Sequence, residues 1–108
     1  MKILEKNGFL VGLRDTGDQQ HYLGLKISKR PSDKLFFKQF IPKGKIGKSL
    51  IDEELLAASV QKGIDKYNNE RGTEFFVLEI EYVPFDSPSY DIYTIMSEAI
   101  LSRGRHAE

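Results

Sequence analysis

The segment "PKGKIGKS" at residues 42–49 departs at one position from the phosphate-cradling pattern GxxxxGK[ST], with Pro42 where the first glycine belongs. In such a loop the glycines let backbone N–H groups approach a phosphate, the lysine reaches its oxygens and the hydroxyl holds magnesium. Pro42 conflicts with that chemistry because it fixes φ and removes an N–H donor. Hydrolysis of a nucleotide also calls for a second strand ending in an acid for magnesium, and only one strand is expected after this loop. What remains is a glycine-lysine loop, expected to open onto a helix N-terminus and hold an anion without hydrolysis.

Other chemistry-bearing groupings are sparse. "DTGDQQH" gives Asp15, Asp18 and His21 the spacing of a conceivable metal trio, but Asp and Gly are what a hairpin turn contains, and the segment reads as a turn. His106 falls in a C-terminal tail, no serine lies in a nucleophile elbow, and there is no cysteine to serve as nucleophile, thiolate ligand or disulfide partner. Glu79 and Glu81, two apart on one strand, share a face and read as solvated groups or as contacts for basic residues rather than as a catalytic pair. The residues thus point to a non-enzyme with no cofactor and no metal.

The stronger signal is charge. The chain is formally neutral, yet Lys26, Lys29, Arg30, Lys34, Lys38, Lys43, Lys45 and Lys48 face one acid, Asp33, between residues 26 and 48. Eight bases against one acid leave +7 on that segment and −7 on the remainder. Such a split predicts an electropositive region that draws anionic partners. The eight residues form the expected nucleic-acid or anion-binding set.

The elements that must position them follow from periodicity. "GFLVGLR" (8–14) and "HYLGLKIS" (21–28) read as strands around the turn "DTGD", with Leu23, Leu25 and Ile27 alternating against a polar face. "LFFKQFI" (35–41) is a third strand after the turn "KRPSDK", and strands two and three are expected to form a lysine-bearing hairpin. A short extra strand is available at "KILE" (2–5). Ser49 is expected to cap a helix over about 50–69, with Leu56, Val60, Ile64 and Tyr67 on one stripe and Gly72 as its stop. Gly63 within it marks a close approach to a strand. "TEFFVLEIEYV" (73–83) alternates Phe76, Leu78, Ile80 and Tyr82 against Phe75, Val77, Glu79, Glu81 and Val83. A last helix over about 88–103 carries Tyr93, Met96 and Ile100 on its apolar side. The order βββαβα predicts an α+β fold with a mainly antiparallel sheet, in one domain spanning 1–108.

Residues 21–72 resemble the three-strand-plus-helix layout of AP2-like DNA-binding domains and the arm-binding domains of phage integrases. The resemblance rests on "YLGLKISKRPSDKLFFKQF", on "GKSLIDEELLAASVQKGIDKYNNERG", and on Phe40, Gly47, Glu53 and Glu54 at the strand-to-helix junction. It implies that the sheet enters the major groove with Lys26, Lys29, Arg30 and Lys38 in contact. Lysines favour phosphates over bases, so strong salt dependence is expected. The alternative is a protein-binding inhibitor, immunity-type or phage anti-defence module that covers a partner's surface, using the charge split and aromatics such as Tyr90 and Tyr93. Tyr90 and Tyr93 also suit core packing. The absence of a long apolar run predicts a cytoplasmic protein without a membrane partner.

Overall fold

The computed structural model describes residues 1–17 and 19–104. Five strands, β1 (Lys2–Lys6), β2 (Phe9–Asp15), β3 (Gln20–Ser28), β4 (Phe36–Gln39) and β5 (Phe76–Tyr82), form one sheet; α1 (Glu53–Arg71) and α2 (Tyr90–Arg103) complete the fold. The sheet order is β1-β2-β3-β5-β4, antiparallel except for the β4–β5 pair. The α+β class with a mainly antiparallel sheet is therefore as the sequence predicts, and the short strand at the N-terminus is present. Among the described residues no helix is long and apolar enough to cross a membrane.

β1 and β2 join through Asn7 and Gly8, both at positive φ (52° and 85°), the two-residue turn whose twist suits a hairpin. The expected hairpin between 21–28 and 35–41 does not form. β5 lies between β3 and β4, so β4 runs parallel to β5 at the sheet edge. The long apolar β5 takes an interior place, where both its edges are paired, and leaves the four-residue, lysine-bearing β4 outside.

Both helices cover one face. Leu10, Leu23, Leu25, Ile80 and Tyr82 from the sheet pack with Leu56, Val60 and Ile64 of α1 and Met96 and Ile100 of α2. The expected alternation of β5 breaks at Leu78, where the register shifts: Lys26 pairs with Glu79 but Ile27 pairs with Val77. The extra residue reverses which face the odd and even positions take, so Phe75 and Val77 join Ile80 in the helix-side core. The helices themselves meet at Gly63, which approaches α2 rather than a strand.

Helix α1 starts later than its sequence signature implies. Asp52 is the N-cap; its Oδ1 accepts from Glu54 N at 2.9 Å and Leu55 N at 3.2 Å. Ser49 lies outside the helix. The carboxylate outcompetes the hydroxyl because it can meet two N–H groups while carrying the charge that the helix dipole favours. Gly72 closes α1 in the left-handed region at φ 63°, as expected.

Candidate binding surface

The face of the sheet away from the helices carries its own small core. Phe9, Val11, Tyr22 and Val83 are buried there, with Leu4, Phe40 and Phe85 packed against them. Three lysines lie over these rings. Lys6 Nζ sits 3.6 Å from the Phe40 centroid, and Lys26 and Lys38 lie 4.8 Å and 5.6 Å from that of Phe9. Their charged heads lie over the ring faces, where the aromatic quadrupole attracts them, and Lys6 Nζ also donates to Tyr22 Oη at 3.3 Å.

Lys26 and Lys38 also meet carboxylates of β5. Glu79 Oε1 lies 3.4 Å from Lys26 Nζ, and Glu81 Oε2 lies 3.8 Å from Lys38 Nζ. Glu81 is buried and accepts a hydrogen bond from Tyr22 Oη, with Gly24 leaving room for it across the ladder. Burial, with the neighbouring Glu81 carboxylate, drives the Tyr22 phenol upward from its ordinary range. The paired glutamates are therefore contacts for the basic region, and Lys26 and Lys38 are largely spent on holding this face closed.

The other six members of the basic set are exposed and make no ion pair among the described residues. They do not form one patch. Lys29, Arg30 and Lys34 lie in the β3–β4 connection, beside the start of β5, whereas Lys43, Lys45 and Lys48 follow β4 at the far end. The length of β5 separates the two groups by roughly 20 Å at about 3.3 Å per residue. The continuous +7 segment of the sequence becomes two basic ends with a neutralised middle.

The loop after β4 is ordered by few contacts. Lys45 N donates to Pro42 O at 3.1 Å, Gly44 takes φ 82°, and Gly47 rests against the ring of Phe85. Lys45 Nζ donates to Gln20 Oε1 at 3.3 Å. Between them Ile46 is 98% exposed, and Ile41, Leu50 and Leu55 are each about half exposed nearby in the chain. The expected opening of this loop onto a helix N-terminus does not occur. Residues 49–52 separate Lys48 from α1, and Asp52 already occupies the N–H groups that an anion would take. What the loop exposes is its own lysines and Ile46.

Of Asp15, Asp18 and His21, whose segment reads as a turn, Asp15 and His21 are described. Asp15 Oδ1 accepts from Gly17 N at 2.8 Å within the turn, His21 is buried against α2, and Asp18, like His106, lies outside the described residues. No described group of His, Asp or Glu is placed to hold a metal ion. Tyr93 is a core residue, as its helical spacing implies, and Tyr90 is half-buried with its hydroxyl accepting from Asp52 N at 3.0 Å.

One grouping escaped the sequence reading. Arg14 and His21 pair across the β2–β3 ladder, and Tyr93 meets His21 edge-on at 5.7 Å. The signal was an arginine and a histidine at strand positions whose neighbours alternate toward the core, but only the hairpin register places them opposite each other. Nearby, Asp86 Oδ2 accepts from Tyr22 N at 2.9 Å, continuing the ladder where β5 has ended; burial raises its carboxyl pKa, against the lowering effects of that hydrogen bond, His21 and Lys45.

Comparison with protein-family models, with curated proteins and with solved structures returns no match. The fold and the surface thus define a class by architecture: an α+β domain with one face under helices, the other sealed by lysines, and a basic loop carrying an exposed isoleucine.

Proposed function

We propose that this protein is a non-enzymatic binding module that docks on an acidic protein surface through the loop at residues 42–48. The observation that carries this reading is Ile46, 98% exposed between Lys45 and Lys48. Burying an isoleucine side chain contributes about 1.5–3 kcal/mol, a gain that an apolar pocket on a protein supplies and a phosphate backbone does not. Lys43, Lys45 and Lys48 around it steer the loop toward carboxylates. Ile41, Leu50 and Leu55 extend the apolar contribution toward α1. This is how an inhibitor or immunity-type protein acts by occlusion.

The second reading is binding to a nucleic-acid backbone, supported by the six exposed cations without ion pairs. Within the contact set that the AP2-like resemblance implies, Lys29 and Arg30 are available, whereas Lys26 and Lys38 would first have to leave Glu79 and Glu81.

One experiment separates the two. The protein, its Ile46→Asp variant and its Lys43→Ala/Lys45→Ala/Lys48→Ala variant are used as bait in nuclease-treated extract of the native host, and in parallel are titrated with mixed oligonucleotides across salt concentrations. A stoichiometric, nuclease-resistant partner that Ile46→Asp releases supports protein docking. Oligonucleotide affinity that falls steeply with salt, weakens in the triple variant and ignores Ile46→Asp overturns it in favour of nucleic acid. Absence of both refutes both readings.

A further inference from the structure

Among the described residues, the buried side-chain polar atoms without a hydrogen-bond partner are Arg14 Nη1, Nδ1 and Nε2 of His21, and Tyr93 Oη. All four belong to the one grouping where β2, β3 and α2 meet. Tyr93 is fully buried and His21 is 3% exposed. An unmet buried polar group costs about 1–3 kcal/mol, so several in one place call for a complement rather than for chance.

The chemistry of that complement is restricted. A guanidinium can only donate, a phenol can donate, and a neutral imidazole donates through one ring nitrogen while the other accepts. What they have in common is at least one donor each that an acceptor lone pair would meet. Beside them, Asp86 lies near enough to act electrostatically on both His21 and Tyr93. Asp86 also lines a cavity of about 370 Å³ shared with Gly17, Gln20, Lys45 and Ser87. Arg14, His21 and Tyr93 do not line that cavity; Asp86 links the two, lying on the cavity wall with Lys45 and close enough to His21 and Tyr93 to act on both.

We propose that Arg14, His21 and Tyr93 form a buried site for a small oxyanion, a phosphate or carboxylate group, reached through the cavity beside Lys45. Its three residues lie outside the loop at 42–48, so the inference does not rest on the docking proposed for that loop, although Lys45 borders the entrance. Asp86 opposes the anion, and its burial already disfavours its charged form, so the ligand enters most easily when Asp86 carries a proton. Asp86→Asn, which keeps an acceptor for Tyr22 N, therefore tightens binding.

The test uses the purified chain with inorganic phosphate and with acetate, against chloride at matched ionic strength. Thermal unfolding and the NMR signals of the His21 ring report binding, and the two probes distinguish a phosphate from a carboxylate preference. A saturable response to either oxyanion and not to chloride is expected. Tyr93→Phe deletes one oxygen and keeps the ring, and it should weaken binding roughly tenfold, as loss of a hydrogen bond to a charged group does. His21→Phe should act in the same direction, and Asp86→Asn in the opposite one. Equal responses to all three anions, or a Tyr93→Phe protein that binds phosphate and acetate as the parent does, overturns the proposal and leaves the grouping to hydration alone.

Discussion

Gly63→Ala is a change that in most helices stabilises, and here it should do the opposite. Alanine favours a helix interior over glycine by about 1 kcal/mol. Against that, a β-carbon at Gly63 overlaps Ser97 Oγ and the Thr94 carbonyl oxygen, and comes within 3.1 Å of Glu98 N. The serine could turn away, but the two backbone atoms cannot move without displacing α2. Ser97 Oγ also shares its proton between Val60 O at 3.1 Å and Thr94 O at 3.0 Å, and Thr94 Oγ1 donates to Ser59 O at 2.8 Å. Separating the helices weakens the two that cross to α1, at Val60 O and Ser59 O, by about 1 kcal/mol together. Overpacking adds about 3 kcal/mol at the upper end of its usual range, because backbone is in the way. The net loss is about 3 kcal/mol, or roughly 15 °C in Tm for a domain of this size. Thermal and urea unfolding measure it. Ser97→Ala in the Gly63→Ala background should recover only a minor part, since Thr94 O remains. A Gly63→Ala protein as stable as the parent would refute the close helix contact and the reasoning built on it.

The cap of α1 gives a paired test: Asp52→Ala should cost about 1 kcal/mol, whereas Ser49→Ala should stay within about 0.5 kcal/mol in urea melts. Lys26→Ala and Lys38→Ala should each cost up to about 1 kcal/mol, by uncovering Phe9 and by loss of screened, half-exposed ion pairs to Glu79 and Glu81. The Lys43→Ala/Lys45→Ala/Lys48→Ala variant should unfold within about 0.5 kcal/mol of the parent, so any lost binding would belong to the surface. For Asp86 the raised folded pKa means that the folded state favours the protonated acid. Its contribution to stability is present below the unfolded carboxylate pKa and is lost as pH rises through the folded value. Asp86→Asn should therefore be more stable than the parent at neutral pH, with the difference closing in acid; a less stable variant at neutral pH contradicts that sign.

The sequence by itself determined the elements and the composition of the surface. Alternation in 21–28, the 3.6-residue spacing of Leu56, Val60 and Ile64, and the stop at Gly72 depend on neighbours a few residues away, so they can be read locally. The turn at Asn7–Gly8 is equally legible, being the residue pair that a two-residue hairpin requires. The eight basic residues and their charge excess were plain as well.

What only the tertiary structure decided is which strands are neighbours. Local pattern makes a β3–β4 hairpin as acceptable as the observed order, and the choice falls to burial: β5 belongs inside the sheet and β4 at its edge. From that single long-range choice follow the pairing of Lys26 and Lys38 with Glu79 and Glu81, and the division of a continuous basic segment between two ends. The shift at Leu78 that turns Phe75 and Val77 toward the helices is likewise a property of pairing. Ser49 is the cap that local pattern favours, and the path of residues 49–52 instead put the Asp52 carboxylate in that place. Arg14, His21 and Tyr93 come from three elements, and no spacing along the chain predicts that their polar atoms share one buried place.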